Sequence, residues 1–499
     1  LARAFDLRSV GQTSGVYVTG VTVNTYDVHD GDLFVALAGA NRHGAEFAEA
    51  ARAKGAAAML TDTEGVKLIG AIDVPLVVAD DPRALLGEVS AWLYDTATDT
   101  PQLFAVTGTN GKTSTVHFLE AILRQMGLTT GLSSTAERHI GDVSVVSGLT
   151  TPEASELHAL IARMKEAGVQ AAALEVSAQA LSRHRVDGAI FDVAGFTNLS
   201  HDHLDDYGDM QSYFDAKLPL FQPDRSRRGV ISLESPWAGQ LRERAGVPVV
   251  TISADKNQDA DWHVQIDEEG PDGVAFTVTS PRGESIATSV PVIGKHMAAN
   301  AGLAIAMIVE GGHDESTVAA AIGGDAGIDV YLPGRAERVS SERGPAVFVD
   351  FGHSPEAFAA TLYAVRQVTE GKVIMVFGAD GDRDATKRPS MSRAAVEGSD
   401  ILVITDHHPR FEDPASIRAA LMEAARAADP SHVTVEVADP KKAIREAVKL
   451  AQEGDSILWA GPGHQNYRDI EGVHVEYSAR AEARAALREA GWATADPSS

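Results

Sequence analysis

The chain has 499 residues, 44% hydrophobic and 23% charged, with a formal net charge of −27 and no cysteine. That length accommodates about three domains, and the composition is that of an ordinary globular protein. The charge argues against nucleic acid or anionic membrane as partners, and the lack of cysteine excludes disulfides, thiolate metal sites and a thiol nucleophile.

No run approaches the roughly 18 apolar residues of a membrane span, and LARAFDLRSVGQ lacks the apolar centre of a signal peptide. A cytoplasmic monomer that handles small molecules, without membrane insertion, is expected.

The first block, 1–100, contains GDLFVAL (31–37), the helical stretch GAEFAEAARAKGA and the strand PLVVAD (75–80). Alternating strand and helix predict a small α/β unit. The second block, 101–332, opens with the strand QLFAVTG and the helix TSTVHFLEAILRQMG, which stops at Gly127. VQAAALEVS (169–177) and FDVAGFTNLS (191–200) follow. Their small and β-branched residues suit a parallel sheet buried on both faces. A β-rich patch spans 262–292, and the helix HMAANAGLAIAMIVEGG closes the block.

The third block, 333–499, begins at the turn LPGRAERV and repeats strand and helix through AVFVDFG, KVIMVFGAD, DILVITD, HVTVEVAD and DSILWAG. Four of these strands end near Asp350, Asp380, Asp406 and Gly461. Open parallel sheets take ligands at the carboxyl ends of their strands. The expected class is α/β in three domains: a small N-terminal domain, a central P-loop-like ATPase domain on a parallel sheet and a C-terminal Rossmann-like domain. The tail ATADPSS is expected to fray.

Between strand and helix in the second block lies Thr107-Gly108-Thr109-Asn110-Gly111-Lys112-Thr113-Ser114. Two glycines let the backbone approach a phosphate, and the helix N-terminus offers N–H groups to it. Lys112 is suited to β/γ-phosphate and the Thr113 hydroxyl to Mg²⁺. The spacing G-x-x-G-K-T is two residues shorter than the usual G-x-x-x-x-G-K-[ST]. Glu175, ending an apolar strand, is expected beside this loop as a ligand of the ATP-bound Mg²⁺. In Ser200-His201-Asp202-His203, His201 is expected at the surface, and Asp202 either orients its neighbour or caps the next helix. Lys217 reads as an ordinary helical lysine.

The loop resembles that of the Mur ligase superfamily, T-G-T-N-G-K-[ST]. GDLFVAL, LTTPEASELH, LEVSAQALSRHRV, FTNLSHDHLDDYGD, GRAERV, VDFGHSPEA and GADGDRDATKRPSM resemble, in the same order, motifs of its tripeptide-synthetase branch. The resemblance implies an ATP-dependent amide ligase of peptidoglycan precursor synthesis that proceeds through an acyl phosphate.

It further implies two Mg²⁺ sites, with His203 on the second and Lys217 carboxylated to a carbamate. Asn300, Arg335, Asp350 and His353 become outer ATP contacts, though Asp350 capping a helix is the plainer alternative. UDP-N-acetylmuramoyl-L-alanyl-D-glutamate would meet Thr25, Thr150, Thr151, Ser177, Arg183 and Arg185.

The third domain would bind the incoming amino acid through Arg388, Asp406, His407, His408, Arg410, Gly461 and Gln465. Two motifs depart from the family there. Asp-Asn-Pro-Arg becomes DHHPR, and Gly-Lys-Gly-His-Glu becomes GPGHQ, so Gln465 stands where a carboxylate would. L-Lysine or ornithine is favoured slightly over meso-diaminopimelate. The alternatives are a folylpolyglutamate synthetase-like ligase, a non-catalytic nucleotide-binding homologue and a P-loop motor.

Overall fold

A computed structural model describes residues 1–39, 41–145 and 149–494. Three principal sheets follow one another along the chain. The first has five strands; Arg8–Val10 runs antiparallel at its edge, and the other four are parallel.

The second sheet has eleven strands. At its centre Gln102–Thr107 lies between Ala171–Glu175 and Val193–Phe196, parallel to both. Successive side chains of a strand face opposite ways. Phe104 and Val106 therefore pack under the helices Lys112–Gln125 and Lys295–Glu310, whereas Leu103 and Ala105 pack against Ala154–Glu166. Both faces are covered, which is why these strands read as unbroken apolar runs. The β-rich patch is an antiparallel meander, Trp262–Gly270, Gly273–Thr279 and Ser285–Val290, that extends one edge. A second antiparallel extension, Arg138–Ile140 and Val143–Ser144, lies at the other edge.

The third sheet has six strands. Ser456–Ala460 runs between Ala346–Asp350 and Val373–Phe377, all parallel. This brings the ends of three separate chain segments, at Asp350, Phe377 and Ala460, to one point, the place where such sheets bind ligands. Part of the expected frayed tail is paired instead: Thr494 bridges Ser340. The remainder, 495–499, lies outside the described residues.

Candidate active site

The loop Gly108–Gly111 leaves the middle strand of the central sheet, between its two neighbours. Gly111, at φ 87°, precedes the helix Lys112–Gln125, which has no side-chain cap on its first N–H groups. A Cβ on Gly108, at φ 151°, would strike Thr197 Oγ1, and one on Gly111 would lie 2.6 Å from Asn300 Oδ1. Only glycine satisfies both the backbone angle and the space. The end of the adjacent strand holds the loop rigid. Thr197 Oγ1 and Asn198 Nδ2 donate to Asn110 O at 2.6 and 3.1 Å, and Asn198 Oδ1 accepts the Asn110 N–H at 3.0 Å.

Three cations surround this loop. Lys112 Nζ donates to Gly108 O at 3.1 Å and Thr109 O at 2.9 Å. Lys217, 1% exposed, donates to Gly108 O at 3.0 Å, and its Nζ lies 4.4 Å from the centre of the Tyr213 ring. Arg335 donates to Thr113 Oγ1 at 2.8 Å and stacks over Phe351. Among the described residues no carboxylate stands within ion-pair distance of any of the three. Burial lowers the pKa of each, and at Lys217 the charge of Lys112 lowers it further.

Glu175, 1% exposed, faces them. Its two oxygens accept from the Thr135 N–H at 2.9 Å and Thr135 Oγ1 at 3.0 Å. Thr135 Oγ1 also reaches Thr150 Oγ1 at 3.0 Å. Thr151 Oγ1 donates to Glu175 O at 2.8 Å and accepts the Ser177 N–H at 3.1 Å. Thr150, Thr151, Ser177 and Glu175 are thus one network. His203 sits in the left-handed region at φ 56°, its ring edge-on to Tyr213. Its pKa is held down to about 4, by desolvation first, with Asp202 opposing and His353, Lys112 and Lys217 adding to it.

The third sheet closes over this site. Asp350 accepts the N–H groups of Ala336 at 2.9 Å and Gly352 at 2.7 Å. Ser354 accepts from Asn110 Nδ2 at 3.2 Å, and His353 Nε2 stands 3.5 Å from Asp202 Oδ2. Lys387 donates to Asp202 at 2.8 Å, both side chains being buried.

Farther along the same sheet end lies a second cluster. Asp380 Oδ2 accepts from Arg410 at 3.3 Å, and His407 Nε2 is 3.6 Å from Asp380 Oδ1. Arg410, itself at φ 50°, also donates to Gly381 O at 2.9 Å and lies 3.5 Å from Asp469. His408 Nε2 and Gln465 Oε1 are 2.8 Å apart, and a Cβ on Gly461 would meet the His407 ring.

Three family models match the chain: the Mur ligase family catalytic domain over 17–93, the Mur ligase middle domain over 106–308, and the Mur ligase glutamate ligase domain over 334–463. A UDP-N-acetylmuramyl-tripeptide synthetase of Leifsonia xyli subsp. xyli is 56% identical, covering 99% of this chain and 96% of that one. The chain belongs to the Mur ligase family.

Members of this family are ATP-dependent ligases that join an acid to an amino acid through a C–N bond, and the chain is an enzyme of that type. A UDP-N-acetylmuramoyl-L-alanyl-D-glutamate–2,6-diaminopimelate ligase of Streptomyces coelicolor is 41% identical over 98% of this chain and 96% of its own length. A solved structure of a ligase with the same printed name superposes with a TM-score of 0.63 at 28% identity, covering 95% of both chains.

The Mur ligase geometry corrects several residue readings. His201 is half-buried at the surface but not free: its Nε2 is 3.1 Å from Asp384, which caps the turn Ala385–Lys387. Of the two readings of Asp202 the cap fails, since His203 occupies that position; Asp202 Oδ1 accepts the N–H of its neighbour His203 at 3.0 Å, and the carboxylate also pairs with Lys387. Lys217 is no ordinary helical lysine, being buried beside the loop. Asp350 is not a cap, since Ser354 caps the helix Pro355–Gln367.

Arg388 does not present a free guanidinium: it makes two 2.7 Å bonds to Glu412. Asp406 turns away from the cluster to pair with Arg418. Arg183 and Arg185 are also engaged, with Asp206 at 3.6 Å and Glu153 at 3.0 Å. Thr25, in the turn Thr25–Asp27, stays on the N-terminal unit. Thr135, Asn198 and Lys387 were missed. Each acts through a partner distant in sequence, so no local pattern marks it.

Proposed function

We propose that the chain catalyses the addition of a diamino acid to UDP-N-acetylmuramoyl-L-alanyl-D-glutamate, with ATP converted to ADP and phosphate. The observation that carries this reading is the pair of half-buried cations beside the glycine loop, Lys112 and Arg335, neither matched by a carboxylate among the described residues, in a chain of net charge −27. Such cations are costly until a polyanion neutralises them. The names of the relatives supply the substrate class, and their match along the whole chain favours it over the folylpolyglutamate alternative.

Residues 1–100 would hold the uridine end through Thr25, 101–332 would hold ATP, and 333–499 the amino acid. The N–H groups from Thr107 to Ser114, with Lys112 and Arg335, would grip the phosphates. Asn300, beside Gly111, and Asp350 with His353 would bind the rest of the nucleotide. Thr150, Thr151, Ser177, Arg183 and Arg185 would orient the dipeptide acid.

The donor set fits Mg²⁺. Thr113 and Glu175 offer oxygen, and the neutral His203 ring offers a lone pair. Burial first, and then the charge of Lys112, hold the Lys217 pKa well below the usual lysine range, which favours the neutral amine that carboxylation needs, and a carbamate would turn a repelling cation into an anionic ligand. When bound, Mg²⁺ supplies charge stabilisation at the transferring phosphoryl group. The substrate carboxylate attacks the γ-phosphorus and releases ADP. The amine then attacks the acyl phosphate carbon, and the tetrahedral intermediate expels phosphate. The chain's residues align the reactants and exclude water, which would otherwise consume the acyl phosphate.

The test is phosphate release from ATP in the presence of Mg²⁺, the dipeptide nucleotide and single amino acids, with mass detection of the product. Release that ignores the dipeptide nucleotide would contradict the reading.

A further inference from the structure

The second cluster departs from the family pattern twice, and the structure joins the two departures. Gln465, where the family has a carboxylate, bonds to His408, where it has asparagine. Neither of these two positions offers a carboxylate to a distal ammonium. Arg410, which the resemblance assigns to a second substrate carboxylate, is occupied by Gly381 O, Asp380 and Asp469. A second carboxylate would have to displace Asp380 and meet Asp469 as well.

Among the described residues Asp380 Oδ1 is buried without a hydrogen bond; His407 Nε2, at 3.6 Å, is too far. An unsatisfied buried carboxylate oxygen costs free energy that an ammonium donor would recover. Burial opposes ionisation of Asp380, but the positive charge beside it, that of Arg410 at 3.3 Å included, outweighs burial and holds its carboxyl below the usual range. His407 is itself held down to about 3, by burial first, and is therefore a neutral ring. Nearby Arg468 donates to His407 O at 2.8 Å. Asp380 and Asp469 thus both face Arg410, which leaves that arginine no surplus positive charge for a carboxylate.

A metal does not fit this place. His408 Nδ1 accepts the Asp469 N–H at 2.8 Å, and its other nitrogen is held by Gln465. The cluster also borders the phosphate site: His353, 3.5 Å from Asp202, acts electrostatically on both Asp380 and His407.

We propose that Asp380 selects the incoming amino acid by accepting its distal ammonium, and that the substrate is a diamino acid with one carboxylate, of the lysine or ornithine class. This rests on the ligase reading above. Asp380 does the work of the missing carboxylate and at the same time quenches Arg410.

The test compares steady-state kinetics with L-lysine, L-ornithine and meso-diaminopimelate, at saturating ATP and dipeptide nucleotide. The wild type is expected to favour one of the monocarboxylates by about 100-fold in kcat/KM. Asp380→Asn is expected to raise the KM for that amino acid about 10-fold, with kcat changing far less, and to improve relative use of meso-diaminopimelate by freeing Arg410. Asp380→Glu should recover part of the loss. An unchanged KM for ATP verifies the fold of each variant. A wild type that prefers meso-diaminopimelate, or an Asp380→Asn variant with unaltered KM, overturns the proposal. Phosphate release that ignores every amino acid and the dipeptide nucleotide overturns the ligase reading instead, and this proposal with it.

Discussion

The glycine loop and the Asp380 cluster both stand at the carboxyl ends of parallel strands, yet they treat positive charge in opposite ways. Around the loop, Lys112, Lys217 and Arg335 contact only carbonyl or hydroxyl oxygens and rings. In the third sheet, Arg388 faces Glu412, Arg410 faces Asp380, and Arg418 faces Asp406 and Glu436. A site that leaves its cations bare is prepared for an anion. One that matches Arg388, Arg410 and Arg418 with carboxylates of its own is prepared for a ligand of lower or opposite charge. The same sheet architecture thus serves two chemistries, and the difference lies in a few carboxylates at the strand ends.

The contrast can be broken most sharply at the loop. Lys112→Ala removes a bare cation, and turnover should fall by about 1,000-fold or more. Near-normal phosphate release would mean that the cation has another purpose. Arg410→Ala tests the opposite case. Because this arginine is already neutralised, kcat with the preferred diamino acid should stay within about 3-fold, while residual use of meso-diaminopimelate disappears. A loss of all turnover would place Arg410 with the bare cations after all.

Glu412→Ala exposes Arg388 as a buried, uncompensated charge. It should cost about 1–3 kcal/mol of stability, read as a lower denaturant midpoint. An unchanged midpoint would show that the Arg388–Glu412 pair is not structural.

The last prediction concerns pH. Burial, with Arg335 and neighbouring histidines, holds His117 down to about 3. An unfolded histidine takes up its proton near pH 6.5, so the unfolded chain binds more protons than the folded one between those values. Stability that is full above about pH 6.5 should therefore decline as the pH falls toward 3. His117→Gln should flatten that decline in melting temperature. An identical slope in wild type and variant would show that other groups govern it.

Much of this arrangement was legible locally. Thr107–Thr113 carries its glycines, lysine and hydroxyl in one short run, because the loop is a single strand-to-helix turn whose chemistry is contiguous. Glu175 was readable as a charge ending an apolar strand, and the parallel register, Glu175 opposite Val106, follows from such strands. The third sheet's alternation of strands and helices was equally plain. What stayed hidden were properties set by distance. Lys217 looks like any helical lysine until packing buries it beside Gly108, 109 residues away in the chain. Arg388 and Arg410 looked like free recognition groups until folding placed Glu412 and Asp380 against them.

The sequence by itself therefore determined the architecture and the phosphate loop, since hydrophobic periodicity and turn chemistry act between near neighbours. Tertiary structure alone decided which charges are bare and which are matched. Charge compensation depends on separation in space, and a linear order of residues does not contain it until the sheets have brought their strand ends together.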